Sequence, residues 1–288
     1  MRKSSQESVP VFARRLDSGG FGWATRIVLV IVLIMFFFPM FWLIETAFKE
    51  HLDFVAIPPK IFFTPTLENF RAVLEKADFG TAYKNSALIT SISVTLALFF
   101  GLPAAYGLSR FRFPGQSVLS FWILSTRFIP PVVVVIPFFI IFRFTGMTDT
   151  MYGMVMVHLV AALPLVIWIM YSFFKDVPFE IEEAACVDGA HPIYTFVRIA
   201  MPLVAPGIVA TTILAIQGSW NELIYAVILT SVRTRTLPVT IYRFVSYEQI
   251  AWGNLCAGGV LAIAPIVIVT VCLQKYLLAG LTFGAVKS

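Results

Sequence analysis

Six stretches of this chain are each about as long as a bilayer-spanning helix and almost free of formal charge. A helix needs about 20 mostly apolar residues to cross the hydrocarbon core. Stretch 27–44 is apolar except at Pro39, 85–109 carries no charge, and 115–142 carries Arg127 and the pair Pro130-Pro131. Stretch 150–174 is interrupted by His158, 199–221 is charge-free with Glu222 following inside the same run, and 249–274 is charge-free. Of the 288 residues 59% are hydrophobic and 13% charged, about half the charge of an ordinary soluble domain. A single water-soluble core of this size needs no such series of uncharged runs. The expected fold is an all-α polytopic membrane protein with six transmembrane helices, at about 27–48, 82–109, 115–142, 150–174, 202–229 and 249–275. They lie in one membrane domain, 27–280, with an N-terminal tail 1–26 and a C-terminal tail 281–288.

The net charge is +5, and five cations (Arg2, Lys3, Arg14, Arg15, Arg26) precede the first apolar run. No basic stripe interleaved with aromatics follows. The excess therefore suits an anionic membrane surface, and no nucleic-acid partner is expected. The first run is too long for a signal peptide, and no small-residue cleavage site follows it, so it reads as a span that stays. The three cysteines, Cys186, Cys256 and Cys272, form no C-x-x-C pair. They indicate neither a disulfide framework nor a metal site, and packing is their expected role.

With six spans both termini share a side. Lys and Arg near span ends set orientation. The two termini, the 110–115 turn and the 175–198 loop together hold eleven, against nine on the other side, five of which lie in the long first loop. Both termini and the 175–198 loop are thus expected to be cytoplasmic. In the first outer loop Phe70, Val73, Leu74 and Ala77 share one helical face, and Thr66 can cap that helix.

The most informative polar stretch is 177–203. Pro178 suits a first helical turn. Glu180, Glu182 and Glu183 complement the positive end of that helix. Ile181, Ala184 and Ala185 fall on one face, and the adjacent alanines form a low surface that another protein can approach. Asp188-Gly189 ends the helix with a left-handed cap. Pro192 can start a second helix, and Pro202 the next span. The result is a helix–turn–helix tied at both ends to spans, which can transmit a push.

Glu183-Ala184-Ala185, Gly189, Ile199 and Met201-Pro202, at these spacings, resemble the EAA loop of ABC-importer permeases; that family usually has Leu where Met201 stands. Asn85-Ser86, the Phe113-Pro114-Gly115 turn, Trp220-Asn221-Glu222 and the ending 274–287 are similar to the maltose-type, MalG-like carbohydrate branch. The resemblance implies a non-catalytic permease subunit in the bacterial cytoplasmic membrane, forming half of the path for a sugar, polyol or glycerol phosphate. It implies ATPase coupling through Glu182, Glu183, Ala184, Ala185, Asp188, Gly189, Pro192 and Pro202, and a C-terminal tail, 284–288, that reaches toward the ATPases. The implied partners are a second homologous permease, two ATPase subunits and an extracytoplasmic solute-binding protein that meets outer loops including 49–84 and 230–248. This chain has no G-x-x-x-x-G-K-[ST], so it binds no cofactor itself, and ATP and Mg belong to the partner ATPases.

Charges inside spans are costly and usually face protein or water. Arg127, Asn221 and Glu222, with Tyr225 nearby, either line the translocation path or, through an Arg127–Glu222 ion pair, fix helix packing. His158 reads as a packed, hydrogen-bonded residue. An ion-gradient-driven transporter is the alternative, but only His158 and Glu222 could serve its relay, and it leaves the EAA spacing unexplained. For an intramembrane enzyme no H-E-x-x-H, G-x-S-x-G or paired membrane aspartates occur.

Overall fold

A computed structural model describes residues 23–50, 53, 56–58, 60–76, 78–245 and 250–285, and the side chains within them except those of 24, 76 and 274–285. Residues 1–22 of the expected N-terminal tail, Ala77, and the end of the expected C-terminal tail from 286 lie outside the described residues. The chain divides into two units, 1–45 and 46–288. The first holds most of helix α1 (Trp23–Ala47), which contains Pro39.

The named elements of the second unit are helices, joined by turns and loops. It contains α2 (Glu68–Lys76), α3 (Phe79–Arg110), α4 (Gln116–Ser125), α5 (Pro131–Thr145) and α6 (Met151–Asp176). After these come α7 (Phe179–Val187), α8 (Pro192–Thr195) and α9 (Met201–Leu203). The last are α10 (Ala205–Trp220), α11 (Ile224–Leu229), α12 (Leu237–Tyr242) and α13 (Trp252–Ala285). Among the described residues four helices are long and apolar enough to cross a membrane: Thr25–Ala47 within α1, α3, α6, and Trp252–Leu273 within α13. Two bent pairs bring the number to six if each is one span.

Both bends lie at prolines. α4 and its 3-10 extension Thr126–Phe128 meet α5 at 95°. Pro131 supplies no amide to a preceding turn, and a residue before proline is pushed out of the helical region, so Pro130 is extended (φ −61°, ψ 134°). The run read from sequence as one span, 115–142, is therefore two segments. The stretch from Pro192 to Leu203 meets α10 at 77°, after a π-turn over Phe196–Ala200. The expected fifth span, 202–229, is also discontinuous. Its main helix starts at Ala205, unwinds across 221–223 and resumes as α11.

The core forms along α3 and α6. Val94, Ala97, Leu102 and Ala105 of α3 pack with Ala162, Val166, Met170 and Phe174 of α6, and Ala200, Val204 and Ala215 close that cluster. Small residues let helix backbones approach, which is how helices associate where lipid removes much of the hydrophobic drive. A second cluster joins Ile89, Val135, Met154 and Val157 to Tyr225, Ala226 and Leu229 of α11. Gly207 of α10 lies so close to Phe173 that an added Cβ would stand 2.5 Å from the ring.

In the first loop Thr66 Oγ1 accepts from Glu68 N (3.1 Å) at the start of α2. Val73 is fully buried, whereas Leu74, expected on the same face, is 55% exposed. Asn69 Nδ2 donates to the carbonyls of Ala47 and Lys49 and holds α2 against the chain that leads into it.

Candidate functional site

α7 spans Phe179–Val187, with Pro178 just before it and Asp188 just after. Gly189 has φ +86°, a left-handed conformation that costs glycine little, and the chain turns there into α8, which begins at Pro192. Most of this hairpin is open. Glu183, Ala184, Asp188, Gly189, Pro192 and Pro202 are exposed, and Ala185 is half-buried. Val187 (87%), Ile193 (69%) and Tyr194 (57%) add a group of exposed apolar side chains to an otherwise polar loop.

Glu182 differs from the others. The sequence groups it with the partner-facing residues, but it points inward and is buried. Its Oε2 accepts from the Tyr106 hydroxyl (2.7 Å), and its Oε1 accepts from Arg110 Nε (2.9 Å) and lies 2.8 Å from Arg110 Nη2. The Arg110 and Glu182 side chains are 6% and 5% exposed. Arg110 Nη2 also donates to the Val177 carbonyl (3.1 Å). Tyr106 packs against Phe174 and Phe196 at 5.5 and 4.8 Å between ring centroids. The α7–α8 loop is thus fastened to the end of α3 by one desolvated ion pair with a complete set of donors. The spacing Tyr106-x-x-x-Arg110, which puts both side chains on one face of a helix end, is the signal that could have revealed the joint.

A second fastening lies at the opposite end of α3. Asn85 Nδ2 donates to the carbonyls of Arg233 and Arg235 (3.0 Å each), and Ser86 Oγ accepts from Leu237 N (2.8 Å). Asp149, between α5 and α6, holds the same loop from the other side. Its carboxylate accepts from the amides of Ser231, Val232, Arg233 and Thr234 and from the Thr234 hydroxyl (2.9 Å). Burial acts to raise the Asp149 pKa, but the hydrogen bonds from Ser231, Thr234 and Arg233 outweigh it and hold the carboxyl at about 2. No short motif marks Asp149, because its partners are backbone amides more than eighty positions away.

The four residues expected along the path are only partly assembled. Glu222 lies at the break in the fifth apolar run. Its carboxylate accepts from Tyr225 N (2.9 Å) and Ala226 N (3.1 Å), so a side chain takes the amides at the start of α11 that a continuous helix would have bonded to backbone. Tyr225 is buried, edge-on to Phe138. Asn221 is exposed and bonds back to the Gln217 carbonyl. The Arg127–Glu222 ion pair is not formed. Arg127 donates to the Ala161 carbonyl (3.2 Å), and the imidazole of His158 is the group beside Glu222, Nε2 to Oε2 at 3.9 Å.

His158 is packed and hydrogen-bonded. Its Nδ1 lies 2.7 Å from Ser219 Oγ, which in turn donates to Thr90 Oγ1 (3.1 Å), joining α6, α10 and α3. A cleft of about 360 Å³ opens between α3, α10 and α13, lined by Tyr83, Thr90, Ser91, Thr212, Trp220 and Pro265 among others. Arg127, Asn221, Glu222 and Tyr225 do not line it. Cys186 and Cys272 are exposed and Cys256 half-buried, so packing does not account for the first two.

Residues 97–282 match the protein family described as "Binding-protein-dependent transport system inner membrane component". This chain belongs to that family. It is an ABC-importer permease subunit, a non-catalytic membrane component whose partner ATPase hydrolyses ATP. It is similar to the trehalose transport system permease protein SugB of Mycobacterium tuberculosis, with 34% identity covering 92% of this chain and 97% of that one. It is also similar to the trehalose/maltose transport system permease protein MalG of Thermococcus litoralis, with 33% identity covering 90% and 94%. Among solved structures, a subunit of a bacterial ABC transporter involved in the import of the acidic polysaccharide alginate matches with a TM-score of 0.74. At 24% identity, over 94% of this chain and 99% of that one, this match bears on fold.

Proposed function

We propose that this permease forms half of the translocation path for a sugar, with trehalose- or maltose-like oligosaccharides the first class to try. A second, homologous permease completes the path. The α7–α8 loop, on the cytoplasmic side with both termini, docks a separate ATPase through Glu183, Ala184, Ala185, Asp188, Gly189, Pro192 and Pro202. Glu182 serves the same coupling from behind, by fastening the loop to α3. An extracytoplasmic solute-binding protein meets the outer loops 49–84 and 230–248.

The observation that carries this reading is the two-sided character of α7. One face is pinned by a buried ion pair, and the other presents small residues beside exposed Val187, Ile193 and Tyr194. A large exposed apolar group rimmed by polar residues marks a protein contact. Relatives named for trehalose and maltose transport support the sugar class. For Arg127, Asn221, Glu222 and Tyr225, the interrupted helix supports a place along the path, since discontinuous helices supply backbone polar groups at transporter binding sites.

The test is ATPase activity of the complex, co-purified with its partners and reconstituted in lipid, with the binding protein and a panel containing trehalose and maltose. Wild type is run beside Gly189→Asp. The expected result is stimulation of the wild type by loaded binding protein, and a variant that assembles but is not stimulated. Failure of any ATPase to co-purify, or a variant that behaves like wild type, overturns the docking assignment.

A further inference from the structure

We propose that α3 is the strut that links the ATPase-docking loop to the loop on the opposite membrane face, and that Arg110 and Asn85 are its positioning residues. The inference rests on the reading of the α7–α8 loop given above. α3 has 32 residues, a rise of about 48 Å, enough to cross the whole bilayer including its headgroups. Each end carries a polar fastening to a loop distant in sequence. At one end Glu182 is gripped by Arg110 and Tyr106. At the other, Asn85 holds two carbonyls of the 233–235 segment and Ser86 holds the Leu237 amide.

The joints are built to transmit. A displacement of α7 drags the desolvated Glu182 carboxylate, and Arg110 and Tyr106 must follow or leave a buried charge unpaired. The middle of α3 is packed along α6, so the helix moves as a body. Its far end cannot move without Asn85 pulling both carbonyls of one loop segment. Asp149 takes up the amides of that segment from 231 to 234, so the loop shifts as a unit. The forward path from α8 to the same loop is a poorer route, because it passes through a π-turn, a 77° bend and the unwound 221–223 stretch; α6, which leads from Asp149 to the start of α7, is packed along α3 and belongs to the same moving body. A helix with two fixed ends is a physical link between sites, and its coupling is measurable.

The test uses the full complex in lipid nanodiscs, with Cys186, Cys256 and Cys272 replaced by serine and one reporter, Val232→Cys, on a side chain that is 67% exposed. The rate of reaction with a charged maleimide is measured before and after trapping the ATPase with ATP and vanadate. In the otherwise wild-type chain trapping changes the rate by about five-fold or more, the lower end of ordinary allosteric coupling. Asn85→Ala, Glu182→Gln and the milder Tyr106→Phe each shrink that change while the ATPase still co-purifies and traps nucleotide. Asn85→Ala with Glu182→Gln is no worse than either alone, because two cuts in one serial link do not add. A reporter rate that is indifferent to trapping, single variants that keep the full change, or effects that add as independent destabilisations would each overturn the strut. Absence of a co-purifying ATPase is a different failure, that of the docking assignment.

Discussion

Removal of either partner of the Arg110–Glu182 pair, compared with removal of both, is the most informative perturbation of this fold. Glu182→Leu leaves three donors without their acceptor: the Tyr106 hydroxyl and two N–H groups of the buried guanidinium. Each hydrogen bond to a charged group is worth about 1.5–3 kcal/mol, but the three share one carboxylate and do not add. The applicable bound is the cost of breaking a buried ion pair, about 3–5 kcal/mol. Glu182→Leu should fall near the lower end, since Arg110 keeps the Val177 carbonyl. Arg110→Met strands a carboxylate with only Tyr106 and should fall near the upper end. The double variant replaces the pair with apolar side chains of similar volume and should cost less than about 1 kcal/mol. The assay is reversible unfolding of the purified complex in mixed detergent–SDS micelles, followed by tryptophan fluorescence. Single variants each costing less than about 1 kcal/mol, the behaviour of a solvent-exposed pair, would refute the burial argument. So would a double variant equal to the sum of the singles.

Asp149→Asn should lower the hydrogen-exchange protection of the 231–234 amides, with little effect on α3; unchanged protection would remove Asp149 as the loop's clamp. The pH dependence follows from a carboxyl held at about 2 against an ordinary 3.8: its stabilisation is complete above the ordinary value and is lost as pH falls through the lower one. Acid exposure in that window should therefore release these amides in the wild type but not change the Asn variant. Gly207→Ala places a methyl 2.5 Å from the Phe173 ring and should cost about 1–3 kcal/mol. Gly80→Ala meets nothing within 4 Å and should not destabilise, and thermal unfolding of the two side by side tests the α6–α10 contact. Glu222→Ala should cost about 1 kcal/mol through loss of the cap on α11, and Glu222→Gln less because an acceptor stays; equal loss of amide protection over 224–229 in both variants would exclude capping.

Much of this was legible beforehand because it depends on local rules. Membrane burial follows from uncharged length. The α7 hairpin follows from proline at its start, glycine at its end and acid in its first turn. Pro130-Pro131 was visible as well, but the 95° angle was not, since a proline removes a hydrogen bond without saying how far the neighbouring helices will splay. Glu222 stood out as a charge within a helical run, and the sequence left two readings open, a place on the path and an ion pair with Arg127. Opposite charge suggested Arg127, whereas the nearest groups are two backbone amides and an imidazole. The partners of Arg110, Asn85 and Asp149 were not legible, because each acts on backbone or on a residue from 67 to 150 positions away.

The sequence alone determined that the chain lives in a membrane and which loop carries the spacing from which ATPase docking is proposed. Hydropathy and helix-terminus chemistry are properties of consecutive residues. Only the tertiary structure decided which acid of that loop faces outward and which is buried. Glu182 and Glu183 are neighbours of identical chemistry. One turns into the bundle because α3 brings Arg110 and Tyr106 to that side of α7, and a desolvated carboxylate is stable only where such donors converge.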